Sequence, residues 1–311
     1  MRILITAAGG DIAQAAIRVI RSAYPDFVIV GIDSKSQPFF SKFCDEFLVA
    51  PESSSQNYLA WINTLCSTHQ IDLIIPLSEA EIEFLSSNRG KLKVNHISAN
   101  PLALSVGLDK LKTAEFLNEL GDYAPKSSDA LSEDLSAYPI IIKERRGRGS
   151  RDVRICKNFE EASTYIKLMK HPLVQEVLYP SDREITCAIY RFTDGEVRII
   201  QLLRHLSGGR TLWATVILND EITSMCELIA SSLALVGAIN IQLILTESGP
   251  KIFEINPRYS STIEMRHEVG FEDLVWGLDE ALGFPKRDYI EPYPGTLVGR
   301  RDQVFRFSGN L

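Results

Sequence analysis

The chain has 311 residues, of which 45% are hydrophobic and 23% charged. That is enough to bury one large core or roughly two to three smaller ones, and it excludes disordered and fibrous architectures. Its 33 basic and 40 acidic residues leave a net charge of −7, which argues against whole-surface attraction to nucleic acid or anionic membrane and leaves room only for a local basic patch.

The first hundred residues alternate β-branched runs with amphipathic segments, the pattern of βαβ units and a parallel sheet. Strands are expected at Ile3 to Thr6, Val28 to Ile32 and Leu73 to Pro76, with helices near Ile12 to Ser22, Asn57 to His69 and Glu79 to Asn88. The Met1-Arg2-Ile3-Leu4-Ile5 start enters a strand pattern directly, with no cleavable apolar segment and no run near the ~20 apolar residues of a membrane span, so a cytoplasmic protein without membrane contact is expected. The first turn, Ala7-Ala8-Gly9-Gly10-Asp11-Ile12, and Asp33 after the second strand are placed like a dinucleotide fingerprint. Gly-x-Gly-x-x-Gly is absent, however, and Asp11 stands where a pyrophosphate would need bare backbone, so NAD is not expected.

Asn100-Pro101 and Val106-Gly107 punctuate the chain, and Asp109-Lys110 opens a helix to about Leu120. After a polar stretch from Pro125 to Asp134 come a strand ending in a lysine, Pro139 to Lys143, and a loop of glycines and arginines, Glu144 to Asp152. A short strand, Val153 to Cys156, a helix over Glu160 to Met169 and a strand, Leu173 to Val177, complete what reads as a flexible flap. From Arg183 on, strands at Glu184 to Phe192, Val197 to Arg204 and Leu212 to Leu218, a helix Glu221 to Val236 and a hairpin Ala238 to Asn256 predict an antiparallel sheet. The five cysteines, Cys44, Cys66, Cys156, Cys187 and Cys226, are odd in number and lack a C-x-x-C pair, so reduced, non-catalytic thiols are expected.

The hairpin carries the chemistry. Ile239 to Leu245 and Lys251 to Asn256 flank the turn-type run Thr246-Glu247-Ser248-Gly249-Pro250. Symmetry about Ser248 sets Gln242 opposite Glu254 and Asn240 opposite Asn256. Period-two alternation then places Gln242, Glu254 and Asn256 on one face and Leu243, Phe253 and Ile255 on the other. One carboxylate with two amides suits a hard cation such as Mg2+ shared with phosphate oxygens better than a closed structural site. A half-exposed strand face that is polar by chance is the alternative, and Asn256-Pro257-Arg258 counts against it, because the proline fixes the strand exit and sets a phosphate-binding cation beside the metal face. Lys143, ending a buried strand, calls for an anionic partner, since an uncompensated ammonium there would be costly.

Taken together, Lys143, the Gly147-Arg148-Gly149-Ser150 loop, Gln175-Glu176-Val177 followed by Glu184, and Gln-x11-Glu-x-Asn-Pro-Arg over Gln242, Glu254, Asn256 and Arg258 resemble the ATP-grasp superfamily. The nearest flavour is that of carbamoyl-phosphate-synthetase large-chain-like, stand-alone carboxylate–amine ligases. The resemblance implies an α/β chain that becomes α+β in its C-terminal part: a Rossmann-like pre-ATP-grasp domain over 1–104, then a two-subdomain ATP-grasp fold over 105–311, with a mobile lid at about 112–178 and a catalytic subdomain at about 179–311.

Position by position, the resemblance implies that Lys110 contacts ATP phosphate and that Lys143 meets the α-phosphate and the adenine edge. The backbone of Gly147, Gly149 and Ser150 would cover the β- and γ-phosphates. Glu176 and Val177 would recognise adenine, and Glu184 the ribose hydroxyls. Gln242, Glu254 and Asn256 would hold Mg2+ (or Mn2+), and Arg258, Lys143 and Arg204 would serve catalysis. Arg204 or Arg210 would hold a carboxylate or acyl phosphate, with His205 either a proton carrier or a polar strand residue. Arg266-His267-Glu268 lacks metal-ligand spacing and reads as structural or substrate-side. Unlike many relatives, the flap carries five arginines within ten residues, Arg145, Arg146, Arg148, Arg151 and Arg154, suited to drawing in a nucleotide or an acidic substrate; no aromatic platform accompanies them, so nucleic acid is not expected. The implied activity is ADP-forming activation of a small-molecule carboxylate for attack by an amine. Bicarbonate activation and a non-catalytic ATP-binding regulator are the alternatives, and homodimers are common among similar proteins.

Overall fold

The computed structural model describes residues 1–36, 39, 42–132, 135, 137–147 and 153–300. Strands β1 (Arg2–Ile5), β2 (Val28–Asp33), β3 (Glu46–Val49) and β4 (Leu73–Ile75) form a sheet in the order β3-β2-β1-β4, every pairing parallel. Both faces are covered, which is why these strands read as almost continuous apolar runs. Helix α1 (Asp11–Ala23) sets Ala16, Ile17 and Ile20 against Ile3, Ile5 and Ile29. Helices α2 (Tyr58–Thr68) and α3 (Glu79–Ser87) cover Leu4, Val30, Ile32 and Ile74 on the other side. The Asp33 carboxylate accepts hydrogen bonds from the backbone N–H groups of Gly9, at 3.0 Å, and Lys35, at 2.9 Å, so it serves the turn after β1.

The punctuation at Asn100-Pro101 and Val106-Gly107 proves to bound a helix, α4 (Pro101–Gly107), with proline in its first turn. A fixed φ and a missing N–H suit that position, so the proline starts the helix there. Helix α5 (Lys110–Leu120) follows, capped by Asp109, whose side chain accepts from the N–H groups of Leu111 and Lys112.

A second, antiparallel sheet, in the order β5-β8-β6-β7, contains β5 (Ser127–Ser128), β6 (Ile140–Glu144), β7 (Arg154–Cys156) and β8 (Pro172–Glu176). Helix α6 (Phe159–Leu168) lies on the face that carries Ile140, Ile142, Cys156 and Val174. Alternation leaves Lys143 and Gln175 on the opposite face.

The third sheet is also antiparallel. It holds β9 (Glu184–Arg191), β10 (Val197–Ser207), β11 (Arg210–Ile217), β12 (Gly237–Thr246), β13 (Gly249–Asn256) and β14 (Leu297–Gly299), in the order β13-β12-β9-β10-β11-β14. Helix α7 (Asp220–Ser232) stops short of the expected Val236, because Ala234, at φ 42°, turns the chain. With α4 and α5 it covers the face bearing Cys187, Ile241 and Ile255. On the other face Ala188, Tyr190 and Leu202 pack with α1, α8 (Ile263–Glu268) and α9 (Asp273–Leu282), so the first sheet and this one share a core. Arg18 of α1 and Glu264 of α8 reinforce that junction with hydrogen bonds of 2.5 and 2.6 Å.

The α/β beginning and α+β continuation agree with the expected fold class. Among the described residues all five cysteines are buried and free, and no helix is long and apolar enough to cross a membrane.

Candidate functional site

One end of the third sheet, on the face shared with Tyr190, is left for polar side chains, and the hairpin supplies the first of them. Gln242 is paired with Glu254, and Asn240 with Asn256, as expected. The route to that register differs. Thr246 pairs with Gly249, so the turn has two residues, Glu247 and Ser248, and is not centred on Ser248. A β-bulge between Gln242 and Leu243 then adds the residue that restores the Gln242 to Glu254 register. The extra residue is Phe253. The expectation that it lies with Leu243 and Ile255 is overturned, because the bulge turns its ring to the Lys143 ammonium, 5.8 Å from the ring centroid.

Lys143 reaches this hairpin from the second sheet. It is 7% exposed, donates to Gln175 Oε1 at 2.9 Å and lies 3.4 Å from the carbonyl oxygen of Phe253. Gln175 is itself held by Ser127, to which its amide donates at 2.8 Å. Burial pushes the lysine down to about 8; Glu254 partly offsets this, and the neighbouring Lys110 adds to the depression. Lys110, at the start of α5, donates to the carbonyl of Gly147 at 2.8 Å and stands 3.3 Å from Glu254 Oε1. Its own N–H donates to the carbonyl of Arg145, at 3.1 Å, and Arg145 pairs with Asp109 at 2.6 Å, so α5 and the base of the glycine loop are held as a unit. Lys110 is thus ion-paired with Glu254, and the Lys143 ammonium lies close enough to feel the same carboxylate, where three elements converge.

Across the same sheet face Glu184, at the start of β9, is ion-paired to Arg204 of β10. Arg204 also donates to Thr211 Oγ1, at 2.8 Å. Burial raises the Glu184 carboxyl and Arg204 lowers it, while Glu254 acts with burial; Arg204 itself is lowered by burial, against the pull of Glu184. Asn240 is fully buried and accepts from Thr186 Oγ1 at 3.0 Å, while its amide nitrogen has no partner among the described residues. Among those residues no three His, Cys, Asp or Glu side chains gather as a closed metal site. The oxygen donors that the hairpin itself brings to this face are instead one carboxylate, Glu254, and the amides of Gln242, Asn240 and Asn256, a set that fits an oxygen-seeking cation bound partly by phosphate.

The remaining assignments fall around this cluster. Glu176 ends β8; its carboxylate accepts from the Lys126 N–H at 2.8 Å and its N–H donates to the Lys126 carbonyl, with Val177 just beyond the strand. Arg258 follows Pro257 out of β13 and pairs with Glu79 of α3 at 3.0 Å. Gly149 and Ser150, with Arg148 and Arg151, lie outside the described residues. Arg146 pairs with Glu83 at 3.1 Å and Arg154 lies over Tyr165. Arg210 pairs with Asp11 at 2.8 Å, and His205 stacks on Trp213. Arg266, 1% exposed, is bound to Asp273 at 2.6 Å inside the core, which makes it structural.

Glu79 and Thr211 are the site neighbours that sequence reasoning missed. Thr211 was findable as the residue beside Arg210 on a paired strand, whereas no spacing links Glu79 to an arginine 179 residues away.

A family model described as an ATP-grasp domain matches residues 108–262, and one described as the N-terminal domain of PylC-like proteins matches residues 3–99. The carbamoyl phosphate synthase large chain of Helicobacter pylori is 26% identical over 225 residues, covering 65% of this chain and 20% of that protein. Carbamoyl-phosphate synthase of Methanobrevibacter smithii is 24% identical over 170 residues, covering 51% of this chain and 45% of that protein. The chain thus spans less than half the length of these curated relatives. Among solved structures, the biotin carboxylase domain of Hydrogenobacter thermophilus 2-oxoglutarate carboxylase, in complex with MgADP and bicarbonate, is similar with a TM-score of 0.75 at 18% identity, over 94% of this chain and 72% of that one. N5-carboxyaminoimidazole synthetase from Staphylococcus aureus, complexed with ADP, has a TM-score of 0.75 at 16% identity, over 94% and 79%. At such identities the likeness is one of fold.

Proposed function

This chain belongs to the ATP-grasp superfamily, and on that premise we propose that it is an ATP-dependent carboxylate–amine ligase. It transfers the γ-phosphoryl group of ATP to a substrate carboxylate, releasing ADP, and an amine then attacks the acyl phosphate to form an amide with loss of phosphate. The observation that carries this reading is the meeting of Lys143, Lys110 and Glu254, with Gln242 opposite Glu254 on the same sheet face.

A carboxylate does not react with an amine at neutral pH because its leaving group would be oxide; phosphorylation supplies a leaving group. Catalysis of phosphoryl transfer is mostly positioning and charge neutralisation, so the cations matter more than any nucleophile. Lys143 and Lys110 would bind phosphate oxygens, with Lys110 exchanging its contact to the Gly147 carbonyl for one to phosphate. The loop through Gly147, Gly149 and Ser150 would cover the phosphates and keep water from the acyl phosphate. Val177 and the backbone of Glu176 would meet adenine. Glu184 would accept from the ribose hydroxyls, and Arg204, held beside it, would face the acyl end. Gln242, Glu254 and Asn256 would hold Mg2+ (or Mn2+), which neutralises charge on the β- and γ-phosphates when bound.

In this reading 1–104 is a Rossmann-like unit whose strand ends border the acceptor, about 112–178 supplies the lid, its moving part being the second sheet because α5 packs on the third, and about 179–311 is the catalytic subdomain. The substrates are small molecules, taken with ATP from the cytoplasm, and the protein acts alone or as a homodimer. Bicarbonate activation is the second reading, favoured by the carbamoyl phosphate synthases among the relatives.

Measuring ADP release against panels of acids and amines, with bicarbonate alone as control, tests the proposal. Release that needs both an acid and an amine supports it, bicarbonate-dependent release supports the second reading, and no release under any condition points to a nucleotide-binding regulator.

A further inference from the structure

We propose that Glu79, from the first sheet's layer, is a positioning residue for Arg258, an inference that rests on the ligase reading given above. Arg258 Nη2 lies 3.0 Å from Glu79 Oε1, and Nη1 donates to the carbonyl of Tyr259 at 3.1 Å. Both side chains are mostly buried, at 14% and 23% exposure, so the pair is shielded more than an open surface ion pair. Glu79 is its one ion-pair partner among the described residues.

Both ends of the contact are held. On one side, Ser78 caps α3: its hydroxyl accepts from the Glu81 N–H at 3.3 Å and donates to Glu81 Oε2 at 2.6 Å. These two bonds between Ser78 and Glu81 fix the first helical turn, and Glu79 is the turn's first residue, free of capping duty. On the other side, Pro257 sets the backbone before Arg258 and packs against Gly107 of α4, where a Cβ would come within 2.8 Å of its Cδ. The backbone is thus fixed by α4 and the long side chain by α3. An arginine has many rotamers to lose, and two acceptors on its guanidinium remove that freedom before substrate arrives, leaving other donors for an anion.

Helix α3 carries a second acid one turn on. Glu83 pairs with Arg146, beside Gly147 at the base of the glycine loop, at 3.1 Å. Residues four apart share a helix face, so one face of α3 meets the exit of the metal-face strand and the root of the phosphate loop. The Arg146 pair is about half exposed and contributes little alone; the Arg258 pair is the one that sets geometry.

The direction of the effect separates position from field. Removing an acid beside a phosphate-binding arginine favours phosphate electrostatically, so an idle or competing Glu79 predicts that Glu79→Ala holds or raises turnover. A positioning Glu79 predicts the reverse: kcat for ADP release falls between ~10- and ~100-fold, as expected for a misplaced catalytic group. The MgATP KM stays within about twofold, since the loss falls on the transition state. Glu79→Asp recovers part of kcat. Combining Glu79→Ala with Arg258→Met costs no more than Arg258→Met alone, because the two residues act as a unit.

The assay follows ADP release from MgATP with the standard amino acids supplied as both acid and amine, and with bicarbonate, alongside a thermal-unfolding check on each variant. Wild-type kcat in Glu79→Ala, or losses that multiply in full with Arg258→Met, overturns the positioning role while leaving the ligase reading in place. Undiminished release by Arg258→Met, or no release by the wild type with any of the acids and amines of the panels above, overturns the ligase reading itself and this inference with it.

Discussion

Lys110 Nζ stands 3.3 Å from Glu254 Oε1, so a cation from the start of α5 already neutralises the one carboxylate in the proposed metal set. Replacing Glu254 by glutamine is expected to reduce ADP release by at least ~100-fold, a loss of the size seen when a transition-state charge partner goes. The thermal midpoint should move by only a few degrees, about the effect of ~1 kcal/mol in a chain of this size, because the residue lies in a partly exposed cleft. Undiminished turnover in Glu254→Gln contradicts the metal assignment.

With Lys143 on the phosphates as proposed, nucleotide binding is expected to depend on pH. Burial holds its ammonium down at about 8, with Glu254 opposing and Lys110 assisting, so the group is charged at neutral pH and loses its proton as pH passes through 8. MgATP affinity is expected to fall between pH 7 and 9.5, and binding near pH 8 should take up a proton, because bound phosphate favours the charged form. Calorimetry in buffers of different ionisation enthalpy reads both, and Lys143→Met should flatten them; affinity independent of pH and buffer contradicts the placement. The stability linkage has a fixed sign. Between about 8 and the ordinary value of 10.5 the unfolded chain binds more protons at this site, so its contribution to stability grows as pH rises through that window and is lost as pH falls through 8.

Glu184 and Arg204 are paired in a buried setting, with Arg204 8% exposed. Glu184→Gln leaves the guanidinium without its counter-charge and is expected to lower unfolding free energy in urea by about 3 kcal/mol, the low end for a broken buried pair. As the ribose acceptor, the same carboxylate should distinguish ATP from 2′-deoxyATP: the wild type prefers ATP roughly tenfold, the share of one good hydrogen bond to a charged group, and the variant shows little preference. Equal use of both nucleotides by the wild type contradicts the ribose role.

Gly107 gives a steric test. A Cβ there would lie 2.8 Å from Pro257 Cδ and 3.0 Å from the Ile255 carbonyl oxygen, too close without a backbone shift. Gly107→Ala gains helix propensity but overpacks the strand exit, and overpacking at about 1–3 kcal/mol is the larger effect. Lower stability together with slower ADP release is expected; a more stable, fully active variant contradicts the close approach of α4 to the Arg258 segment.

The hairpin was legible because period-two alternation and a turn-rich linker constrain register, and Gln242 does face Glu254. The bulge was not, since adding one residue at Phe253 and removing one from the turn leave the upper pairs unchanged. Helix α4 hid behind Asn100-Pro101, whose turn signal is equally a helix start. Strand β14 has three residues and takes its place only by pairing Leu297 to Gly299 with β11, while α8 and α9 take their order from a core shared with α1. The pairs of Glu184 with Arg204 and Glu79 with Arg258 depend on strand register and on the packing of α3, which no local spacing encodes.

The central claim is that a substrate carboxylate becomes an acyl phosphate. Its most direct measurement uses an acid labelled with 18O in the carboxylate, supplied with ATP and the amine that drives ADP release, followed by mass analysis of the liberated phosphate. Activation through an acyl phosphate places one 18O in that phosphate for each amide formed. Amide formation with unlabelled phosphate, or with the label in AMP, contradicts the account.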